Sequence, residues 1–192
     1  MAYKITVCAS GGGGNFQALI DNQQDNGYEI NLLISDRQCK AIERATKHQI
    51  PYKIIKKNQS DSTLFTNMDQ VIPHDTNLII LAGFFPILNT WFCDKWENKI
   101  INTHPSLLPN YGGKGMYGIK VQEAVMGAKE EFGGCTVHYV NPVIDGGKII
   151  LQKKVKVDYN QSPWELGGRI FKEENKLLVE AVKLIIQHTK GV

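Results

Sequence analysis

The chain has 192 residues, 42% of them hydrophobic and 21% charged, with a formal net charge of +3. That length suits one domain able to bury about 70% of its unfolded surface, and the composition is that of an ordinary soluble globular protein. The charge is too small and too scattered to argue for a nucleic-acid partner, and no apolar run approaches the roughly 20 residues of a membrane span.

The N-terminus, Met1-Ala2-Tyr3-Lys4, leads straight into a strand over residues 5–9. It lacks the charged-then-apolar build of a signal peptide, which predicts a cytoplasmic protein. A helix is expected over 16–24, with Phe16, Leu19 and Ile20 at helical spacing. A strand over 29–35, a helix over 40–48, a strand over 52–55 and a helix over 64–72 follow. Residues 78–82 are uniformly apolar, as in a central parallel strand buried on both faces. A short helix over 87–95 then precedes a strand ending at Asn102. This alternation predicts an α/β chain: a Rossmann-like open, mostly parallel twisted sheet with helices on both faces.

Beyond Pro109 the pattern changes. A helix is expected over 118–126, then two antiparallel strands over 134–140 and 148–157, with a turn at Asp145-Gly146-Gly147. The second strand alternates, with Ile149, Leu151, Lys153, Val155 and Val157 on one side. A long C-terminal helix over 163–188 closes the chain, with Ser162 as N-cap, Pro163 first and Glu165 third. The pairs Lys56-Lys57 and Lys153-Lys154 read as solvated strand ends. Cys8, Cys39, Cys93 and Cys135 form no C-x-x-C pair, so a metal site is not expected and buried or half-buried reduced thiols are.

Two constellations carry chemistry. The first is Asn102-Thr103-His104-Pro105-Ser106-Leu107-Leu108-Pro109, answered some forty residues later by Asp145. Alternation along a strand puts Asn102 and His104 on one side, and the prolines stop a regular continuation. An amide and an imidazole are thus presented where a strand opens into a loop, with a carboxylate on a second loop to complete the set. The second is Ser10-Gly11-Gly12-Gly13-Gly14-Asn15, between the first strand and helix, where close backbone approach and a helix N-terminus suit a phosphate. The dinucleotide fingerprint G-x-G-x-x-G fails here, because its last position falls on Phe16 or Gln17, and no Gly-Lys-Ser/Thr follows for a P-loop. Asp36 does stand about 20 residues on, where a ribose-binding acid is expected, which keeps an NAD-dependent oxidoreductase as the alternative of a different class.

These two elements, with Ala82-Gly83-Phe84-Phe85-Pro86-Ile87-Leu88 and Asp145-Gly146-Gly147, occur in the order seen in folate-dependent formyltransferases, which the chain resembles nearly end to end. Among them it most resembles the branch that formylates glycinamide ribonucleotide in purine biosynthesis. The resemblance implies a single formyltransferase domain over 1–192, with a phosphate-binding half of about 1–100 and a folate and catalytic half of about 82–160. It implies direct transfer of the formyl group of 10-formyltetrahydrofolate to an amine, with Asn102, His104 and Asp145 catalytic. The ribonucleotide would meet Gly12, Gly13, Gly14, Asn15 and Glu174. The folate would meet Phe85, Pro86, Ile87, Leu88, His138, Val140 and Asn141. No tightly bound cofactor is implied; 10-formyltetrahydrofolate is a co-substrate, the partners are small molecules, and the chain is a monomer or homodimer. A methionyl-tRNA formyltransferase would carry a further C-terminal domain and a formyltetrahydrofolate hydrolase an extra N-terminal one. A sugar-amine N-formyltransferase is the alternative within the superfamily.

Two departures from the family pattern stand out. Pro86 replaces the Arg that many members carry there, removing a backbone donor and a cation. The segment from Tyr111 to Tyr117 is long and rich in glycine, which predicts a mobile flap carrying Lys114.

Overall fold

Four consecutive apolar residues, Leu78–Leu81, form strand β4 and are buried on both faces. The computed structural model describes residues 2–56 and 61–191, which leaves Lys57, half of one expected lysine pair, outside the described residues. The chain divides into two compact units, Met1–Asn102 and Thr103–Val192.

In the first unit β1 (Tyr3–Cys8), β2 (Tyr28–Ser35), β3 (Tyr52–Ile54), β4 and the start of β5 (Ile100–His104) alternate with α1 (Gly14–Asn22), α2 (Lys40–Lys47), α3 (Asp61–Val71) and α4 (Thr90–Lys95). The strands stand in the order β3-β2-β1-β4-β5 and pair in parallel throughout, for example Val7 with Leu33 and Ile80, and Leu81 with Asn102. Order reverses at β1, so the carboxyl ends of β1 and β4 flank a switch point, where open α/β sheets bind ligands. Ile5, Val7, Leu33, Ile79 and Ile101 are fully buried in the sheet, with Phe16, Leu19, Phe65 and Phe92 packed from the helices. The rings of Phe65 and Phe92 lie 5.7 Å apart.

The second unit continues β5 and adds α5 (Ile119–Gly127), β6 (Phe132–Tyr139), β7 (Ile149–Lys156) and α6 (Pro163–Lys190). Strands β6 and β7 are antiparallel, with a register shift between Val137 and His138. Leu166, Ile170, Leu178 and Val182 of α6 are buried with Val121 of α5 and Cys135 and Val137 of β6. The cap of α6 forms as its sequence requires: Ser162 accepts from Glu165 N, and the Glu165 side chain takes the Ser162 N–H.

Most boundaries shift by one to three residues from expectation, and two of the shifts have a visible cause. The helix expected over 87–95 is only α4, because the Asn89 side chain accepts from Phe92 N and starts the helix at Thr90. Strand β5 runs past Asn102 to His104 and stops at Pro105. Alternation in β7 is also incomplete, since Ile149 is exposed and Val155 is buried. Among the described residues no helix is long and apolar enough to cross a membrane.

Candidate active site

In the first unit, the glycine run fills the turn between β1 and α1. Gly13 is the N-cap of α1 with φ 70°, and a Cβ there would come 2.9 Å from both Cα and Cβ of Ala41. Only glycine meets both demands. A Cβ on Gly11 or Gly12 would meet nothing within 4 Å, so the outer side of the loop is open. The first turn of α1 presents backbone N–H groups toward it, at the positive end of the helix. Arg44 of α2 donates from Nε to Gly12 O (3.0 Å) and from Nη1 to Gln17 Oε1 (2.8 Å), bringing a guanidinium to the loop. Asn15 is buried. Sequence reading missed Arg44, whose helix carries no motif and which reaches the loop only through tertiary packing.

Asp36, at the carboxyl end of β2, takes both Nε (3.0 Å) and Nη2 (2.6 Å) of Arg37 on Oδ2. Burial pushes its carboxyl up, but the hydrogen bonds from Arg37 and Ser10 outweigh this and hold it below the ordinary carboxylate value. A buried acid already paired in this way is poorly suited to the ribose-binding role that its spacing suggested. Phe85 is 65% exposed, its N–H donates to Ser10 Oγ (2.9 Å), and the Arg37 guanidinium carbon lies 5.2 Å from its ring centre. Pro86 is half-buried, Ile87 exposed and Leu88 buried, so within this segment Phe85 and Ile87 supply apolar surface and Leu88 supports it from the core. Asn102, half-buried, is the last residue of the unit, on β5 two positions before His104.

In the second unit, three side chains converge. His104 Nδ1 lies 3.6 Å from Asp145 Oδ2, and His138 Nε2 lies 3.8 Å from Asp145 Oδ1. Each imidazole has its other nitrogen on a backbone carbonyl: His104 Nε2 on Tyr111 O (2.9 Å) and His138 Nδ1 on Tyr139 O (2.8 Å). A carbonyl only accepts, so those nitrogens carry hydrogen, and in the neutral rings the nitrogens facing Asp145 are the bare ones. His138 is 2% exposed; burial pushes its imidazole below the ordinary value, against the pull of the Tyr139 carbonyl and Asp145. Asp145 adopts φ 54° and accepts from Gly113 N on Oδ2 (2.8 Å). A Cβ on Gly147 would stand 1.7 Å from Tyr139 O, so the tight turn after Asp145 requires glycine.

Around this cluster Val140 is half-buried and Asn141 exposed, its Oδ1 accepting from Val143 N (3.0 Å). Lys114 is exposed. Glu174 of α6 is 6% exposed, unusual for a glutamate on a helix face. Chemically, an imidazole beside a fixed carboxylate can move a proton and stabilise a developing oxyanion. Sequence reading singled out His104, His138 and Asp145 and missed the role of Tyr111, because a backbone carbonyl leaves no mark in residue type.

The formyl transferase family model matches residues 3–182. The chain is 35% identical over 191 residues to the chloroplastic phosphoribosylglycinamide formyltransferase of Arabidopsis thaliana, covering 96% of this chain but only 65% of the plant protein. It is 33% identical over 189 residues to the phosphoribosylglycinamide formyltransferase of Bacillus subtilis, covering 95% of this chain and 94% of the bacterial one. The crystal structure of phosphoribosylglycinamide formyltransferase from Anaplasma phagocytophilum matches with a TM-score of 0.87 at 33% identity, over 98% of this chain and 89% of that one.

Proposed function

The chain belongs to the formyl transferase family, and from that premise we propose that it transfers the formyl group of 10-formyltetrahydrofolate to the amine of N1-(5-phospho-D-ribosyl)glycinamide. The products are formylglycinamide ribonucleotide and tetrahydrofolate, in purine biosynthesis. The observation that carries this reading is the cluster of His104, Asp145 and His138, in which His104 Nε2 is held on a backbone carbonyl and Nδ1 lies 3.6 Å from a carboxylate.

In the proposed reaction the amine nitrogen attacks the formyl carbon, and a tetrahedral intermediate forms with its charge on the formyl oxygen. Asn102 N–H and the protonated His104 stabilise that oxyanion. Asp145 orients or charges His104, takes the proton of the incoming ammonium through water and passes it toward the folate nitrogen. The bond from the formyl carbon to that nitrogen then breaks, with the proton ending on the leaving group. Nothing in this sequence of steps requires a covalent bond to the protein.

Gly12, Gly13, Gly14 and Asn15 hold the ribonucleotide phosphate, and Glu174 meets the ribose hydroxyls. Phe85, Pro86, Ile87 and Leu88, with His138, Val140 and Asn141, receive the folate, Phe85 and Ile87 by apolar contact. The functional domain in this reading is the chain over 1–192, with a phosphate-binding half of about 1–100 and a folate and catalytic half of about 82–160.

A steady-state assay of tetrahydrofolate release tests the proposal. With 10-formyltetrahydrofolate present, turnover is expected with glycinamide ribonucleotide and not with an amino-sugar nucleotide. The reverse preference would make the chain a sugar-amine N-formyltransferase.

A further inference from the structure

We propose that Tyr111 and Glu130 are positioning residues for His104: the Tyr111 carbonyl selects which imidazole nitrogen carries hydrogen in the neutral ring, and the Glu130 carboxylate holds Tyr111 where it does so. This rests on the formyl-transfer reading for its catalytic consequence, and on the second unit's geometry alone for the contact itself.

His104 Nε2 donates to Tyr111 O at 2.9 Å. Because that carbonyl cannot donate, Nε2 keeps its hydrogen whether the ring is neutral or charged, and the proton gained or lost sits on Nδ1, facing Asp145. Two residues on, Gly113 N donates to Asp145 Oδ2 at 2.8 Å. One short segment therefore touches both members of the acid–base pair. A Cβ on the intervening Gly112 would lie 2.5 Å from Leu108 Cδ2 and 3.3 Å from Asp145 Cβ, so the segment is also pressed closely against the carboxylate.

Tyr111 holds φ 57°, a conformation that a tyrosine adopts only when its surroundings enforce it. Packing does not enforce it alone. Tyr111 lines a cavity of about 310 Å³ together with Leu107, Val125 and Phe132 among others. The directional restraint is the phenol, which donates to Glu130 Oε1 at 2.7 Å, a hydrogen bond strengthened by the carboxylate charge. Glu130 is itself fixed at its backbone: its carbonyl accepts from Tyr159 Oη at 2.7 Å and its N–H donates to Val125 O at 3.3 Å. Three hydrogen bonds, joined through the covalent frames of Glu130 and Tyr111, thus link Tyr159 to the His104 imidazole.

The test uses the full chain and the variants Tyr111→Phe, Glu130→Ala and Glu130→Gln, read by ¹⁵N shifts of the His104 ring and by steady-state kinetics. In Tyr111→Phe and Glu130→Ala the neutral ring is expected to lose its pure Nε2–H form, and kcat to fall roughly tenfold or more with KM little changed, as misplacement of a catalytic group does. Glu130→Gln keeps an accepting oxygen and is expected to match the unmodified chain in both readouts. An unaltered ring spectrum, or an unaltered kcat, in Tyr111→Phe and Glu130→Ala overturns the proposal. Tyr111→Phe removes a single oxygen and keeps the test available should Glu130→Ala fail to fold. If the unmodified chain turns over neither substrate, the formyl-transfer reading fails, while the ring spectrum still decides whether Tyr111 and Glu130 set the tautomer.

Discussion

Asp145 stands between two imidazoles that are not equivalent. His138 is the more deeply buried; burial lowers its proton affinity, Tyr139 O and Asp145 partly restore it, and a charged His104 lowers it again. His138 therefore stays neutral at pH 7. The consequence for stability has a definite sign. A histidine whose folded value lies below its unfolded value of about 6.5 leaves the fold at full stability above that pH. Stability falls as the pH drops from there through the folded value, because the unfolded chain binds the proton more readily. Denaturant midpoints at pH 7.5 and pH 5.5 check this. His138→Gln is expected to lose less stability over that interval than the unmodified chain, and equal losses would remove His138 from the account.

At the scale of elements, the turn from β1 to α1 shows how packing selects among four consecutive glycines. Gly13 has both φ 70° and Ala41 at 2.9 Å from a Cβ, whereas Gly11 has neither. Gly13→Ala is therefore expected to cost about 1–3 kcal/mol and to weaken ribonucleotide binding, since α2 or the loop must shift. Gly11→Ala should change stability by no more than about 0.5 kcal/mol. Chemical denaturation and a ribonucleotide titration on the two variants make the comparison. The strands and most helices of this fold were legible because their apolar periodicity is local: residues 78–82 read as a central strand, and Leu78–Leu81 is one. The start of α4 was not, because Ile87 and Leu88 extend the apolar pattern while Asn89 sets the cap. The burial of Glu174 and Leu88 has no mark in the local sequence, because tertiary packing sets it.

Across the whole molecule, what sequence conveys is residue chemistry, and what it omits is the backbone. His104, His138 and Asp145 were legible as titratable types at motif positions; Tyr111 O and Gly113 N, which orient them, were not. Arg44 was missed for a related reason, since nothing on α2 marks which residue reaches the Gly12 carbonyl. The thiols give a probe that spans both units. Cys8, Cys93 and Cys135 are buried, and burial pushes the Cys135 thiol up to about 12, while Cys39 is half-buried. A thiol reagent applied to the native chain near neutral pH is expected to label Cys39 first, with the other three protected until unfolding. The most direct measurement of the central claim is single-turnover formyl transfer from 10-formyltetrahydrofolate to glycinamide ribonucleotide by the unmodified chain, His104→Ala and Asp145→Ala. Both variants are expected to be slower by about 10²–10⁴ while still binding the ribonucleotide. A near-normal rate in Asp145→Ala would contradict the assignment of the proton transfer.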